Sequence, residues 1–404
     1  MIDVRHGDSR DVLKTMADAS IDSCVTDPPY ALVSIVKRFG KSKPENEKFA
    51  ATNPTSAYRS ASAGFMGQKW DTGETAFDPE FWAEVYRVLK PGAHLLAFSG
   101  TRTYHRMVCA IEDAGFEVRD QIGWLYGSGF PKSHNLTGKA EGFDGWGTAL
   151  KPAWEPVVVA RKPLIGTVAA NVMQHGTGAL NIDGCRVAHF EECKPMAAQD
   201  GGDKVFGQGG RKVETTDLKA NGRWPANLVH DGSPEVLACF PETGISAGGR
   251  IGNAGGGNVK NLPTGEFLSG DPGFGDRGSA ARFFYTAKAD AGDRLGSKHP
   301  TVKPVDLMRW LCRLVTPQGG LVLDPFAGSG TAGMACMAEG FDAILIEREA
   351  NFVEDIKRRI AHVSGQDAPL FAGQSEAVTP PAGEGRFTES SRTKNRPGRI
   401  EEVA

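Results

Sequence analysis

Several marks of common protein classes are missing from this chain. No CxxC pair occurs, and the seven cysteines, an odd number, are scattered from Cys24 to Cys336. A disulfide framework or a zinc ribbon is therefore disfavoured, and a reducing compartment fits best. The nearest metal-like pattern, Cys185, His189 and Cys193, would suit one helical face but has no evident fourth ligand, so buried thiols and a surface histidine are expected there and no metal site. No apolar run approaches the roughly 20 residues that span a bilayer. The N-terminal MIDVRHGDSR lacks the basic-then-apolar layout of a signal peptide. A surplus of positive charge is absent too: 46 Lys+Arg against 49 Asp+Glu give a net charge of −3. That excludes a globally basic nucleic-acid binder but leaves room for a local basic cleft.

What is present is glycine, 51 of 404 residues, against a usual share of about 7 %. It is concentrated: residues 241–280 hold 12. Such a stretch cannot sustain long regular elements and reads as loops. Around it the chain alternates strand and helix signals. Ile21–Thr26 is β-prone and stops at two prolines. Residues 37–64 read as a long mobile loop. Phe81, Val85, Val88 and Leu89 mark one helix face that Pro91-Gly92 should end. A strand over His94–Phe98, a helix over Thr103–Asp113 and extended segments at Phe116–Tyr126 and Trp154–Lys162 follow. After an irregular region carrying Lys204, Arg211, Lys212, Lys219 and Arg223, order returns at Arg282. A helix over Pro304–Val315, a strand at Leu321–Leu323, a helix over Ala332–Glu339, a strand at Phe341–Glu347 and a helix over Asn351–Ile360 complete the pattern. Two C-terminal strands are too few to bury a parallel sheet, so they must complete the sheet begun by the N-terminal piece. The expected organisation is 1–164 and 282–361 as two parts of one α/β domain, 165–281 as an insert, and 362–404 as a polar, disordered tail.

Two segments carry chemistry. In Leu321-Val322-Leu323-Asp324-Pro325-Phe326-Ala327-Gly328-Ser329-Gly330-Thr331, a strand ends in an acid and a Gly-rich turn enters a helix. Glycines in such a turn let a ligand approach the backbone, as at nucleotide-binding turns. No Gly-Lys-Ser/Thr follows, so it is not a phosphate P-loop. The next strand ends at Glu347, 23 residues after Asp324, where an acid can accept hydrogen bonds from ribose hydroxyls. The bland alternative is a structural turn with a surface glutamate. The second segment is Thr26-Asp27-Pro28-Pro29-Tyr30, a stiff corner between an acid and an aromatic. Asp27 and the Pro28 carbonyl can both accept from one –NH₂ group while Tyr30 stacks on the attached ring. Alone, it could equally be a rigid turn with a capping Asp.

Together the two segments resemble the DNA amino-methyltransferases that use S-adenosylmethionine. The amine-site motif precedes the cofactor motif, as in their permuted β class. Gly7-Asp8 with Leu13 and Ile21-Asp22, Trp124 with Gly129-Phe130-Pro131-Lys132, and His299-Pro300-Thr301-Val302-Lys303-Pro304 resemble further family segments in the same order. The resemblance covers about residues 1–164 and 282–361. It implies a doubly wound, Rossmann-like class I methyltransferase sheet, circularly permuted, with residues 165–281 as the target-recognition region.

The resemblance also implies residue roles. Asp27, Pro28, Pro29 and Tyr30 would hold the target base. Asp324, Phe326 and the turn Ala327, Gly328, Ser329, Gly330 and Thr331 would hold the methionine and sugar portion of the cofactor. Glu347 would bind its ribose and Asp8 its adenine amine. Thr301 and Lys303 would lie near its carboxylate, with a plain helix-entry role as the competitor. The implied reaction is direct transfer from an activated sulfonium methyl to an amine, which needs no metal. Carbon methylation of cytosine would need a nucleophilic cysteine, and the usual Pro-Cys dipeptide is absent.

Asp as first motif residue resembles the N6-adenine enzymes more than the N4-cytosine enzymes, many of which carry Ser. Methylation of RNA or a protein amide, or a non-catalytic DNA-binding role, are the remaining alternatives. The expected partner is double-stranded DNA, with a homodimer and a restriction endonuclease left open and no membrane. The expected location is the cytoplasm of a bacterium, the gene being bacterial or phage-borne.

Overall fold

A computed structural model describes residues 1–30, 75–131, 133–188, 222–244, 277–287, 291–297 and 299–364. Residues 1–365 form one compact unit. The expected loop at 37–64, most of the Gly-rich stretch, Lys204, Arg211, Lys212, Lys219, His189, Cys193 and the tail from 365 onward lie outside the described residues.

The elements run β1 (Ile2–His6), α1 (Ser9–Lys14), β2 (Ile21–Thr26), α2 (Pro79–Val88), β3 (Leu89–Phe98), α3 (Tyr104–Asp113), β4 (Glu117–Leu125), β5 (Trp154–Arg161) and α4 (Val168–His175). Then come β6 (Leu228–His230), α5 (Pro234–Leu237), β7 (Glu242–Thr243), β8 (Gly278–Ser279) and β9 (Tyr285–Thr286). The chain continues through α6 (Val305–Val315), β10 (Leu321–Asp324), α7 (Thr331–Glu339), β11 (Asp342–Glu347) and α8 (Ala350–Ser364).

Among the described residues, nine strands form one sheet in the order β1-β11-β10-β2-β3-β5-β4-β6-β9. The two C-terminal strands do complete the N-terminal sheet, and they do so from within: β10 and β11 lie between β1 and β2, parallel to both neighbours. Among these described strands, β5 alone runs against its neighbours in the sheet, β3 and β4. Alternating side chains feed two cores, one on each face. Val25, Leu96, Phe98, Val157, Val159 and Leu345 pack with α6 and α7. Cys24, Leu95, Ala97, Val158, Ala160, Ile344 and Ile346 pack with α1, α2 and α3. Helices therefore cover both faces, and β2 is buried along its whole length, as a doubly wound sheet requires.

Two details depart from the sequence reading. Helix α2 stops at Val88, and β3 begins at Leu89, ahead of Pro91-Gly92. Ile21 lies opposite Leu89 but Ser23 lies opposite His94, so β3 bulges over Lys90–Ala93. Pro91 has no N–H for the ladder, and Gly92 adopts φ +78° at the bend. The described parts of region 165–281 contain regular elements that its composition does not suggest. They include α4, capped by the Thr167 side chain and closed by Gly176 at φ 77°, and β6, which extends the sheet beside β4.

Candidate active site

The chain leaves β10 toward β11 on one side and leaves β2 toward β3 on the other. Where connections diverge in this way, a crevice opens at the carboxyl ends of the strands. Asp324 ends β10 and Asp27 follows β2, so folding alone brings the two sequence motifs together. They are joined directly: the Thr26 hydroxyl donates to Asp324 Oδ1 at 2.6 Å, which also accepts from the Phe326 N–H at 3.1 Å. A cavity of about 1010 Å³ opens there. Asp8, Asp27, Pro28, Pro29, Tyr30, Thr301, Lys303, Asp324, Phe326, Ala327, Gly328, Ser329, Thr331 and Glu347 all border it. Gly330, the remaining expected residue, does not border the cavity but sits at the N-terminal cap of α7.

The glycine turn is shaped by close approach. Gly330 has φ +76°, and a Cβ there would come within 2.9 Å of Ile356 on α8. At Gly333, in the first turn of α7, a Cβ would come within 2.5 Å of Leu345 on β11. Gly333 completes a Gly-x-Gly-x-x-Gly spacing begun at Gly328, and its place is helix-to-strand packing. Sequence reading stopped at Gly330 and missed it. From behind, the fully buried Arg359 holds the turn through the Ser329 carbonyl. No local pattern on α8 announced that role.

Glu347 ends β11 and is mostly buried. Its Oε2 accepts the Gly328 N–H and its Oε1 the Glu349 N–H, each at 2.8 Å. Burial raises its carboxyl above the ordinary range, against the pull of these backbone donors. Asp324 is pushed further, to about 7, by burial first and then by the neighbouring Asp27 and Glu347 carboxylates, despite the Thr26 and Phe326 hydrogen bonds. Asp8 borders the cavity with its carboxylate engaged: it caps α1 and is forked by Arg10 at 3.0 and 2.8 Å.

At the corner after β2, Lys303 reaches into the crevice rather than along the glycine turn. Its ammonium lies 3.1 Å from Asp27 Oδ2, 2.8 Å from Glu155 Oε2 and 2.9 Å from the Tyr30 hydroxyl, which in turn donates to Glu155 at 2.8 Å. Its charge is met here by Asp27 and Glu155. Burial opposes that charge, but Asp27 and Glu155 outweigh it and hold Lys303 protonated well above its ordinary range. Glu155 escaped sequence reading. It is presented here because β5 is antiparallel, so its first residues lie at the end of the sheet where the parallel strands finish.

Two residues that border this cavity each carry a buried polar atom with no hydrogen-bond partner among the described residues: Asp27 Oδ1, an acceptor, and Trp124 Nε1, a donor. Burial, with Glu155 nearby, raises the Asp27 carboxyl although Lys303 opposes the shift. Buried groups left unpaired cost about 1–3 kcal/mol each. A ligand offering the complementary atoms would relieve that cost.

The DNA methylase family profile for N6 and N4 enzymes matches residues 21–358. The chain belongs to this family. It is 30 % identical over 115 residues to the type II methyltransferase M.HindIII of Haemophilus influenzae, covering 25 % of this chain and 37 % of that one. It is 39 % identical over 72 residues to the type II methyltransferase M2.MboI of Moraxella bovis, covering 18 % and 26 %. The matches thus span between about a quarter and little more than a third of these relatives' length. Among solved structures, a protein described as a DNA modification methylase from Thermus thermophilus, complexed with S-adenosyl-L-methionine, is 15 % identical, with 90 % of this chain and 94 % of that one covered and a TM-score of 0.42. No helix among the described residues is long and apolar enough to cross a membrane.

Proposed function

We propose that this DNA methylase transfers a methyl group from S-adenosylmethionine to the exocyclic N6 amine of adenine in double-stranded DNA. The carrying observation is that Asp27 Oδ1 has no partner among the described residues, and that Asp27 lines a cavity also lined by the glycine turn and Glu347. The residues fit the cofactor: a backbone turn whose glycines allow it to pack closely on α8 and β11, a buried acid with both oxygens already oriented by N–H donors, and a second acid, Asp324, beside them. When bound, S-adenosylmethionine supplies an electrophilic methyl group on a positively charged sulfur.

The chain's own part is to position and polarise the amine. An exocyclic amine is conjugated with its ring and a poor nucleophile. Asp27 Oδ1 and the Pro28 carbonyl accept its two N–H bonds, which localises the lone pair toward the methyl group. The indole N–H of Trp124 offers a donor for an acceptor on the ring. Tyr30 provides a ring face for the base, and such stacking offsets about 1–3 kcal/mol of the few kcal/mol that extracting a base from the duplex costs.

Asp27 as first motif residue favours adenine; N4-cytosine presents the same amine geometry and is the second reading. Residues 165–281 are proposed to choose the DNA sequence, since none of the residues assigned to the amine or cofactor site comes from them. Exchange of that region with a relative's should transfer the relative's site, whereas a folded chimera that keeps the original site would refute the assignment. For the reaction itself, purified protein is incubated with tritiated S-adenosylmethionine and unmethylated genomic DNA. Label should enter DNA with the wild type and not with Asp27→Ala, which should still bind cofactor. Equal incorporation by both proteins would overturn the proposed role of Asp27.

A further inference from the structure

The amine site contains a cation that its chemistry does not obviously need. Lys303 is supplied by the C-terminal part of the chain, Asp27 and Tyr30 by the N-terminal part, and Glu155 by the antiparallel strand β5. Its three contacts leave the ammonium with a full set of acceptors, and the Phe98 and Tyr30 rings lie 4.8 and 5.1 Å from it. Of the two Asp27 oxygens, Oδ2 faces this ammonium and Oδ1 has no partner among the described residues. A carboxylate free to rotate would present either oxygen, and one in this partly buried place without a neighbouring cation would hold its proton to higher pH. A protonated Asp27 could donate to the amine but not polarise it.

We infer that Lys303 is a positioning residue for methyl transfer: it pins Oδ2 of Asp27 and reserves Oδ1 for the amine, while Glu155 holds Lys303 in place and moderates its effect. The inference rests on the proposed amine-methylation reading. Asp27 faces Lys303, Tyr30 and Glu155 directly, and the nearby titratable groups Asp324 and His299 also sense its charge. Removing the Lys303 cation raises the pH below which Asp27 is protonated. Removing the Glu155 anion while keeping its shape lowers it. The two substitutions therefore act in opposite directions on one titration, which a merely structural role would not do.

The test is the single-turnover rate of tritiated methyl transfer to unmethylated genomic DNA, at saturating cofactor and DNA, from pH 5 to 9. Saturation separates this limb from pH effects of Asp324 on cofactor binding, which a parallel binding titration records. Lys303→Met should slow transfer at least tenfold near neutrality and move the acid limb up by about 1–3 pH units, the range for an opposite charge at this separation. Lys303→Arg, which keeps the cation, should restore most of the rate with the limb near its wild-type position. Glu155→Gln should move the limb down and does not depend on Lys303→Met folding. An unmoved limb in Glu155→Gln or in folded Lys303→Met, or shifts of the same sign in both, would overturn the inference. A wild type that methylates no DNA would instead overturn the reading on which it rests.

Discussion

Glu347→Gln tests the cofactor half of the site with least disturbance to shape. Each Glu347 oxygen accepts one backbone N–H at 2.8 Å, from Gly328 and from Glu349, and lone pairs remain for ribose hydroxyls. Glutamine keeps one carbonyl oxygen and replaces the other with an –NH₂ that confronts one of those N–H donors. The substitution thus removes the charge and misorients one acceptor, but it also removes a carboxylate that burial disfavours. The effect on the fold is therefore small, and the effect on binding is not. A hydrogen bond to a charged acceptor contributes about 1.5–3 kcal/mol, so the cofactor dissociation constant should rise roughly 10- to 150-fold. Titration calorimetry with S-adenosylmethionine measures this, and thermal unfolding of the apo protein should give a Tm within a few degrees of wild type. An unchanged dissociation constant would mean that Glu347 only braces the glycine turn.

Three further outcomes are expected. Asp324, with its carboxyl held near 7, loses its proton as pH rises from 6 to 8. Because the cofactor carries a positive sulfur, its affinity should increase over that window, and Asp324→Asn should flatten the dependence in the same calorimetric titration. By the same shift, ionising Asp324 costs the apo fold stability, so Tm should fall as pH rises from about 4 through 7. Gly330→Ala forces a side chain into φ +76° and against Ile356. It should cost about 1–2 kcal/mol, read as a lower Tm, and should weaken cofactor binding through the displaced turn.

Much of the fold was legible because its signals are local. The β2 strand matches the run Ile21–Thr26 to the residue, since two prolines leave the chain no way to continue pairing. The start of α6 follows from Pro304, and α3 ends one residue before the Ala114 cap, ahead of Gly115 at φ 102°. Helix α2 was misjudged at its end because Leu89 continues the apolar spacing of a helix face while serving as the first residue of a strand. Helix α4 was hidden by its glycine-rich surroundings, although Thr167 and Gly176 bracket it as caps. In the site, motif residues that follow strands were readable because their spacing from strand ends is short. Glu155, Trp124 as an unpaired donor, and the turn of Lys303 toward Asp27 were not, because each depends on how strands and loops far apart in the chain are brought together.

The most direct test of the central claim is nucleoside mass spectrometry of DNA from cells that lack endogenous adenine and cytosine amino-methylation and express either this chain or its Asp27→Ala variant. N6-methyladenine with the wild type and none with the variant is the predicted result. N4-methylcytosine in its place would contradict the assignment to adenine, and the absence of any methylated amine, or equal amounts from both proteins, would contradict the claim that Asp27 directs methyl transfer to a base.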